Sequence, residues 1–225
     1  MYSFAQRGDT RVIDEPLYGH YLRVSDADHP GRNEVMASMS CDGDAVMTEL
    51  LQRPVEDSAN LLFLKQMAHH LVDIDREFLD RTENILLIRD PGEMLQSLTL
   101  QLPHAGLADS GLAIQWQLYL NLVENGQQPA IIDSRELLSD PAGVLTRLCQ
   151  YLDIEFDTAM LSWPAGRRKE DGLWEKYWYQ AVHKSTGFAP YQSKPPCPEA
   201  LRNLLDECQP YYDLLFNHAL RAQRR

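Results

Sequence analysis

Basic charge is scarce in this sequence of 225 residues: 21 Lys and Arg stand against 33 Asp and Glu, a formal net charge of −12. Binding nucleic acid by neutralising phosphates needs a net basic face, so the balance argues against that general role and leaves room only for a local basic pocket. Long apolar runs are also lacking. None approaches the ~18 residues of a membrane-spanning helix, and no charged-then-apolar leader opens the chain, so a cytoplasmic protein without a membrane partner is expected. The four cysteines, Cys41, Cys149, Cys197 and Cys208, form no CxxC pair and neighbour no His motif. That spacing disfavours a zinc site or a disulfide framework, and no metal is expected. A GxxxxGK[ST] loop is absent, as are internal repeats and low-complexity tracts.

The composition itself is that of an ordinary globular protein, 44 % hydrophobic and 24 % charged, and the length suits one domain over residues 1–225. The chain opens on what reads as the tail of a helix ending at Gly8, so it is expected to begin in the middle of a longer pattern. Short apolar runs follow at "TRVIDEP", "NLLFLK", "NILLI" and "PAIIDS". Between them lie helical stretches: "EVMASM", "DAVMTELLQ", "MAHHLVDIDREFLDRT", "GEMLQSLTLQL", "GLAIQWQLYLNLVENG" and "DPAGVLTRLCQYLDI". Strand-length apolar runs alternating with helices predict an α/β fold, a parallel sheet covered by helices on both faces. "KPPCP" at 194–198 reads as a linker to a last helix that runs to Arg225, interrupted near Pro210, with its basic end at the negative pole of the helix dipole.

Ligands of open α/β sheets bind beyond the carboxyl ends of the strands. That rule gathers Asp14 and Glu15, Lys65, Arg89 and Asp90, and the run Asp133 to Arg135. Lys65 and Arg89 form a basic pair suited to an anionic ligand. Pro91 suits a helix start, which puts Ser97 about two turns into the helix on a face able to look back at Arg89. A guanidinium fork and a hydroxyl converging on one point match phosphate geometry. Spacing alone leaves the other reading open, in which Arg89 pairs with Asp90 or closes the sheet.

The stretch "IRDPGEMLQS" resembles the 3'-phosphate-binding motif of sulfotransferases: an arginine, then Asp or Asn, then proline, and a serine eight positions after the arginine. Two further stretches agree. "IIDSRELLSDPAGVLTRLCQYLDIEFDTAML" is similar to the family's strand, "DP" helix and "LGIPFD"-like turn, with Ser134 in place of its tyrosine. "GRRKEDGLW" is similar to the late loop Arg-Lys-Gly-x-x-Gly-x-Trp, with Lys169 where that pattern has glycine. The wording over nearly the whole chain looks most like a bacterial sulfotransferase-like group sometimes labelled branched-chain aminotransferase-like.

The resemblance implies a P-loop NTPase-like three-layer fold with a central parallel sheet, and 3'-phosphoadenosine 5'-phosphosulfate (PAPS) as cosubstrate. It implies that Arg89, Ser97, Arg167 and Arg168 hold the 3'-phosphate. Lys65 would supply positive charge near the phosphosulfate, and Glu15 would be the general base, with His69 as runner-up; each also reads as an ordinary surface or packing residue. The acceptor would be a hydroxyl or amine of a small molecule. The family's first strand and 5'-phosphosulfate loop have no counterpart here. They are expected upstream of residue 1 in a truncated record; otherwise the chain is a catalytically inactive nucleotide-binding or interaction protein. A P-loop kinase lacks its Walker lysine here, and an aminotransferase needs a much larger pyridoxal phosphate fold.

Overall fold

The computed structural model of the protein describes residues 1–52 and 59–222. In chain order the regular elements are β1 (Thr10–Asp14), α1 (Tyr18–Val24), α2 (Arg32–Ser38), α3 (Gly43–Gln52), β2 (Leu61–Lys65), β3 (Ile85–Ile88), α4 (Pro91–Gln101), α5 (Leu107–Ser110), α6 (Leu112–Glu124), β4 (Ala130–Asp133), α7 (Ser134–Ser139), α8 (Pro141–Tyr151), α9 (Glu175–Trp178), α10 (Arg202–Phe216) and β5 (Ala219–Leu220). Residue packing divides the chain into two compact units, one of Met1–Phe78 with Asp157–Phe188 and one of Leu79–Phe156 with Ala189–Arg225.

The first unit carries a two-stranded parallel sheet in which Thr10 to Asp14 run beside Leu61 to Lys65. All five β2 residues are half-buried, and Phe63 stacks on Phe4 with ring centroids 4.3 Å apart. Because the strands are parallel and in register, both end at one edge, which places Asp14 opposite Lys65. Beside the sheet, Tyr18 and Leu22 of α1 bury against Val35 and Trp174. The segment 67–82, expected as a helix, instead forms two 3-10 turns, Ala68–His70 and Glu77–Arg81. Two aspartates explain the break: Asp73 takes a left-handed φ of 48°, and the Asp75 carboxylate accepts from the Glu77 N–H at 2.9 Å. Short polar side chains that bond nearby backbone compete with helix in this way. The α1 helix was not foreseen in the mixed sequence around His20.

The second unit carries a three-stranded parallel sheet in the order β3-β4-β5. Flanked on both sides, β4 is buried at every residue, which is why "AIID" is almost wholly apolar. Leu86, Ile88, Leu95, Leu122, Leu148 and Leu215 fill the core around it. The last helix stops at Phe216, short of the expected end, and Ala219 and Leu220 then pair with Ile131 and Ile132. A two-residue strand has no periodicity to read, so only its partner reveals it. Arg221 returns to donate to the Phe216 carbonyl at 2.6 Å, a cation at the negative end of the helix. Residues 223–225 lie outside the described ones. The α/β class with parallel strands and flanking helices is thus found, its ladders falling into two sheets.

Candidate functional site

At the shared edge of β1 and β2, Glu15 and Lys65 meet through backbone and side chain. The Glu15 N–H donates to the Lys65 carbonyl at 2.7 Å, extending the ladder by one step. Glu15 then turns with φ of 41°, a left-handed conformation that costs a residue with a Cβ on the order of 1 kcal/mol. The turn directs its carboxylate to the Lys65 ammonium, and the two form an ion pair. Lys65 Nζ also lies 3.5 Å from Asp14 Oδ1 and donates to the Tyr179 hydroxyl at 3.0 Å. Tyr179 in turn donates to the Asp14 carboxylate at 2.8 Å. One ammonium, two buried carboxylates and a phenol therefore share a network. Burial lowers the Lys65 ammonium from its ordinary range, against the opposing pull of Asp14; burial and then the Asp14 charge raise the Tyr179 phenol.

The late loop joins this network through its glycine. The Gly172 N–H donates to Asp14 Oδ2 at 3.3 Å, and a Cβ at Gly172 would overlap the Trp174 indole folded across it. The Gly-x-Trp spacing is thus a close-approach requirement. Trp174 is buried, edge-on to Tyr18 with centroids 5.0 Å apart. Asp171, whose side chain is fully buried, accepts from Tyr2 at 2.7 Å and from the Arg168 N–H at 2.8 Å, and faces His183 Nε2 at 3.0 Å. Of the two arginines, Arg167 pairs with Glu175 at 3.4 Å and Arg168 with Glu170 at 3.8 Å. An incoming anion would have to exchange for those carboxylates.

His69 sits in an aromatic stack, edge-on to Tyr21 and His70. His70 lies parallel to Tyr18 and near-parallel to Tyr21, at 5.1 and 4.7 Å. Burial first, then Coulombic interaction with His69 and Lys65, lowers the His70 imidazole to about 2, so it stays neutral at physiological pH.

In the second unit, Arg89 follows β3, and Asp90 caps α4 by accepting from the Gly92 N–H at 2.8 Å. Of the pairings that spacing left open, Asp90 is thus occupied as a cap. Arg89 reaches Glu93, one helical turn on, at 3.7 Å. Ser97 stands four residues beyond Glu93 on the same helix face, its hydroxyl donating to the Met94 carbonyl at 2.9 Å. A phosphate contact from Ser97 requires that hydroxyl to rotate away from the backbone. At the end of β4, Asp133 is a structural anchor: it caps α7 through the Arg135 and Glu136 N–H groups and accepts from Tyr212 at 3.0 Å.

A family model described as "Sulfotransferase domain" matches residues 1–219. The chain belongs to the sulfotransferase domain family. Among curated relatives of this sulfotransferase-like chain, "Branched-chain-amino-acid aminotransferase-like protein 2" of Arabidopsis thaliana is 38 % identical over 220 residues, 97 % of this chain and 39 % of that protein. The corresponding protein 1 of the same plant is 37 % identical over the same length. The chain thus spans about two fifths of the length of the curated relatives it matches. Among solved structures, the sulfotransferase domain from the curacin biosynthetic pathway aligns with 89 % of this chain and 78 % of its own, at 16 % identity and a TM-score of 0.42. The sulfotransferase domain of the Synechococcus PCC 7002 olefin synthase aligns with 88 % and 92 %, at the same identity and TM-score.

Of the residues singled out in the sulfotransferase reading, Glu15 and Lys65 are brought together, and Arg89 and Ser97 lie on either side of Glu93. Sequence reasoning missed Tyr179 and Glu93. Glu93 has a signal, the Arg-x-x-x-Glu spacing of an ion pair entering a helix. Tyr179 has none, because its partner Asp14 is 165 positions away.

Proposed function

We propose that the chain transfers a sulfonate group from PAPS to a hydroxyl or amine of a small-molecule acceptor. The observation that carries this reading is the Glu15–Lys65 pair, held by a strained backbone at the carboxyl ends of two parallel strands in a chain of the sulfotransferase family. Glu15 takes the acceptor proton as the acceptor oxygen or nitrogen bonds to sulfur and the donor's bridging S–O bond breaks. Lys65 neutralises charge growing on the departing oxygen, where a preorganised cation is most effective. Arg89 and Ser97 hold the 3'-phosphate by charge-assisted bonds, with Arg167 and Arg168 as further contacts. His69 is the alternative base.

A second reading, a catalytically inactive nucleotide-binding or interaction protein, is favoured by one observation: Arg89, Arg167 and Arg168 are each paired with a glutamate. Thermal unfolding with 3'-phosphoadenosine 5'-phosphate tests the nucleotide site. A ligand at about a hundred times its Kd adds roughly 2.7 kcal/mol, a rise of about 5 °C or more at this size. The rise is expected for the wild type and is lost in Arg89→Ala. No rise in the wild type overturns the nucleotide reading. A rise without turnover of any hydroxyl or amine acceptor moves the protein to the inactive class.

A further inference from the structure

The segment 191–195, which runs into the linker read at 194–198, is a strap across the first two turns of α4. Tyr191 donates to Glu93 Oε1 at 2.6 Å. Lys194 Nζ donates to the Glu93 carbonyl at 3.1 Å, and Gln96 Nε2 donates to the Pro195 carbonyl at 3.0 Å. Gln96 is itself anchored on the Gly92 carbonyl at 2.7 Å. The two prolines that follow Lys194 stiffen the strap, since each fixes its own φ.

Lys194 and Arg89 therefore converge on one residue, the ammonium on the main-chain carbonyl of Glu93 and the guanidinium on its carboxylate. Two like charges are held near each other and share Glu93 as a partner. Lys194 feels this: burial lowers its ammonium first, Arg89 lowers it further, and Glu93 only partly offsets both. Lys194 is half-buried and, among the described residues, not paired with a carboxylate of its own. Two cations that meet on one residue suit an anion of higher charge.

We infer that Lys194 is a phosphate-binding residue acting with Arg89, and that the Glu93 carboxylate occupies the guanidinium until a phosphate group displaces it. The site takes a phosphate monoester dianion, the chemistry of the 3'-phosphate in the function proposed above, and the inference rests on that reading. Tyr191 gives Glu93 its alternative: when Arg89 turns to the ligand, the carboxylate keeps the phenol as a partner and is not stranded.

Isothermal titration with 3'-phosphoadenosine 5'-phosphate, and with adenosine 5'-phosphate as the control without a 3'-phosphate, tests this on the full chain. Lys194→Ala is expected to weaken the first ligand about tenfold, the loss typical of one charge-assisted bond, and to leave the second unchanged. Lys194→Arg restores most of the affinity, and Glu93→Gln tightens binding by removing the internal competitor. Unfolding curves matching the wild type show that each variant is folded. If wild type binds, Arg89→Ala loses binding and Lys194→Ala does not, the inference fails while the nucleotide reading survives. If wild type does not bind 3'-phosphoadenosine 5'-phosphate, the nucleotide reading and the inference fall together. Equal weakening of both ligands by Lys194→Ala also overturns it, because the lysine would then act without regard to the 3'-phosphate.

Discussion

Lys65 holds Glu15 from two directions, its carbonyl accepting from the Glu15 N–H at 2.7 Å and its ammonium pairing with the Glu15 carboxylate. The strand ladder thus fixes where the lysine stands, and the lysine fixes where the carboxylate points. Asp14 and Tyr179 close the arrangement on the other side.

Replacing the lysine strands two buried carboxylates. A fully buried pair broken from one side costs about 3–5 kcal/mol; the Lys65 side chain retains 26 % of its exposure, so Lys65→Met is expected to lose about 2 kcal/mol. Urea unfolding at neutral pH measures it. An unchanged midpoint would show that the network contributes nothing to folding.

Glu15→Gln keeps the shape and removes the proton acceptor. Sulfonate transfer to an acceptor should fall by about a hundredfold or more, the usual contribution of a general base. Affinity for 3'-phosphoadenosine 5'-phosphate should stay within about twofold. Full activity in this variant assigns the base to another group, and His69→Gln is the variant to make next.

Acid should expose His70. Its imidazole is held at about 2 in the fold against the usual 6.5. The unfolded chain therefore binds a proton below 6.5 that the folded chain refuses until about 2, and stability falls as pH drops through that window. Between about pH 7.5 and 5.5 the expected loss from this group is about 1.4 kcal/mol. His70→Phe, which keeps the stack with Tyr18 and Tyr21, should lose correspondingly less, as read by urea unfolding at the two pH values. Parallel pH slopes for the two proteins would sink the assignment.

Asp133 should matter for folding and not for ligands. Asp133→Ala removes the α7 cap and the Tyr212 partner, at an expected cost of about 2–3 kcal/mol. Asp133→Asn keeps an acceptor oxygen for the cap and is expected within about 1 kcal/mol of wild type. Nucleotide affinity should be unaltered in both, by titration of folded protein.

Four of the five strands were legible because each is an apolar run long enough to show, and the charged ends Glu15, Lys65 and Arg89 followed from the rule about strand termini. Local sequence could not give β5, whose two residues become a strand only beside β4. It misjudged 67–82, where apolar spacing favoured a helix and Asp73 and Asp75 diverted the backbone. At the site, the residue types were readable and their present partners were not. Arg89 belongs to Glu93, and Tyr179 to Asp14, because folding chose among several acceptors within reach. The linker at 194–198 looked inert for the same reason: prolines announce a stiff segment without saying what it lies against.

The left-handed turn at Glu15 also bears on how this chain can change over generations. At φ of 41°, glycine would fold more comfortably than glutamate. Yet glycine alone would leave the Lys65 ammonium half-buried without its nearest counter-charge. Position 15 is therefore expected to drift only in company with position 65, and a lineage released from using the carboxylate would show both replaced together.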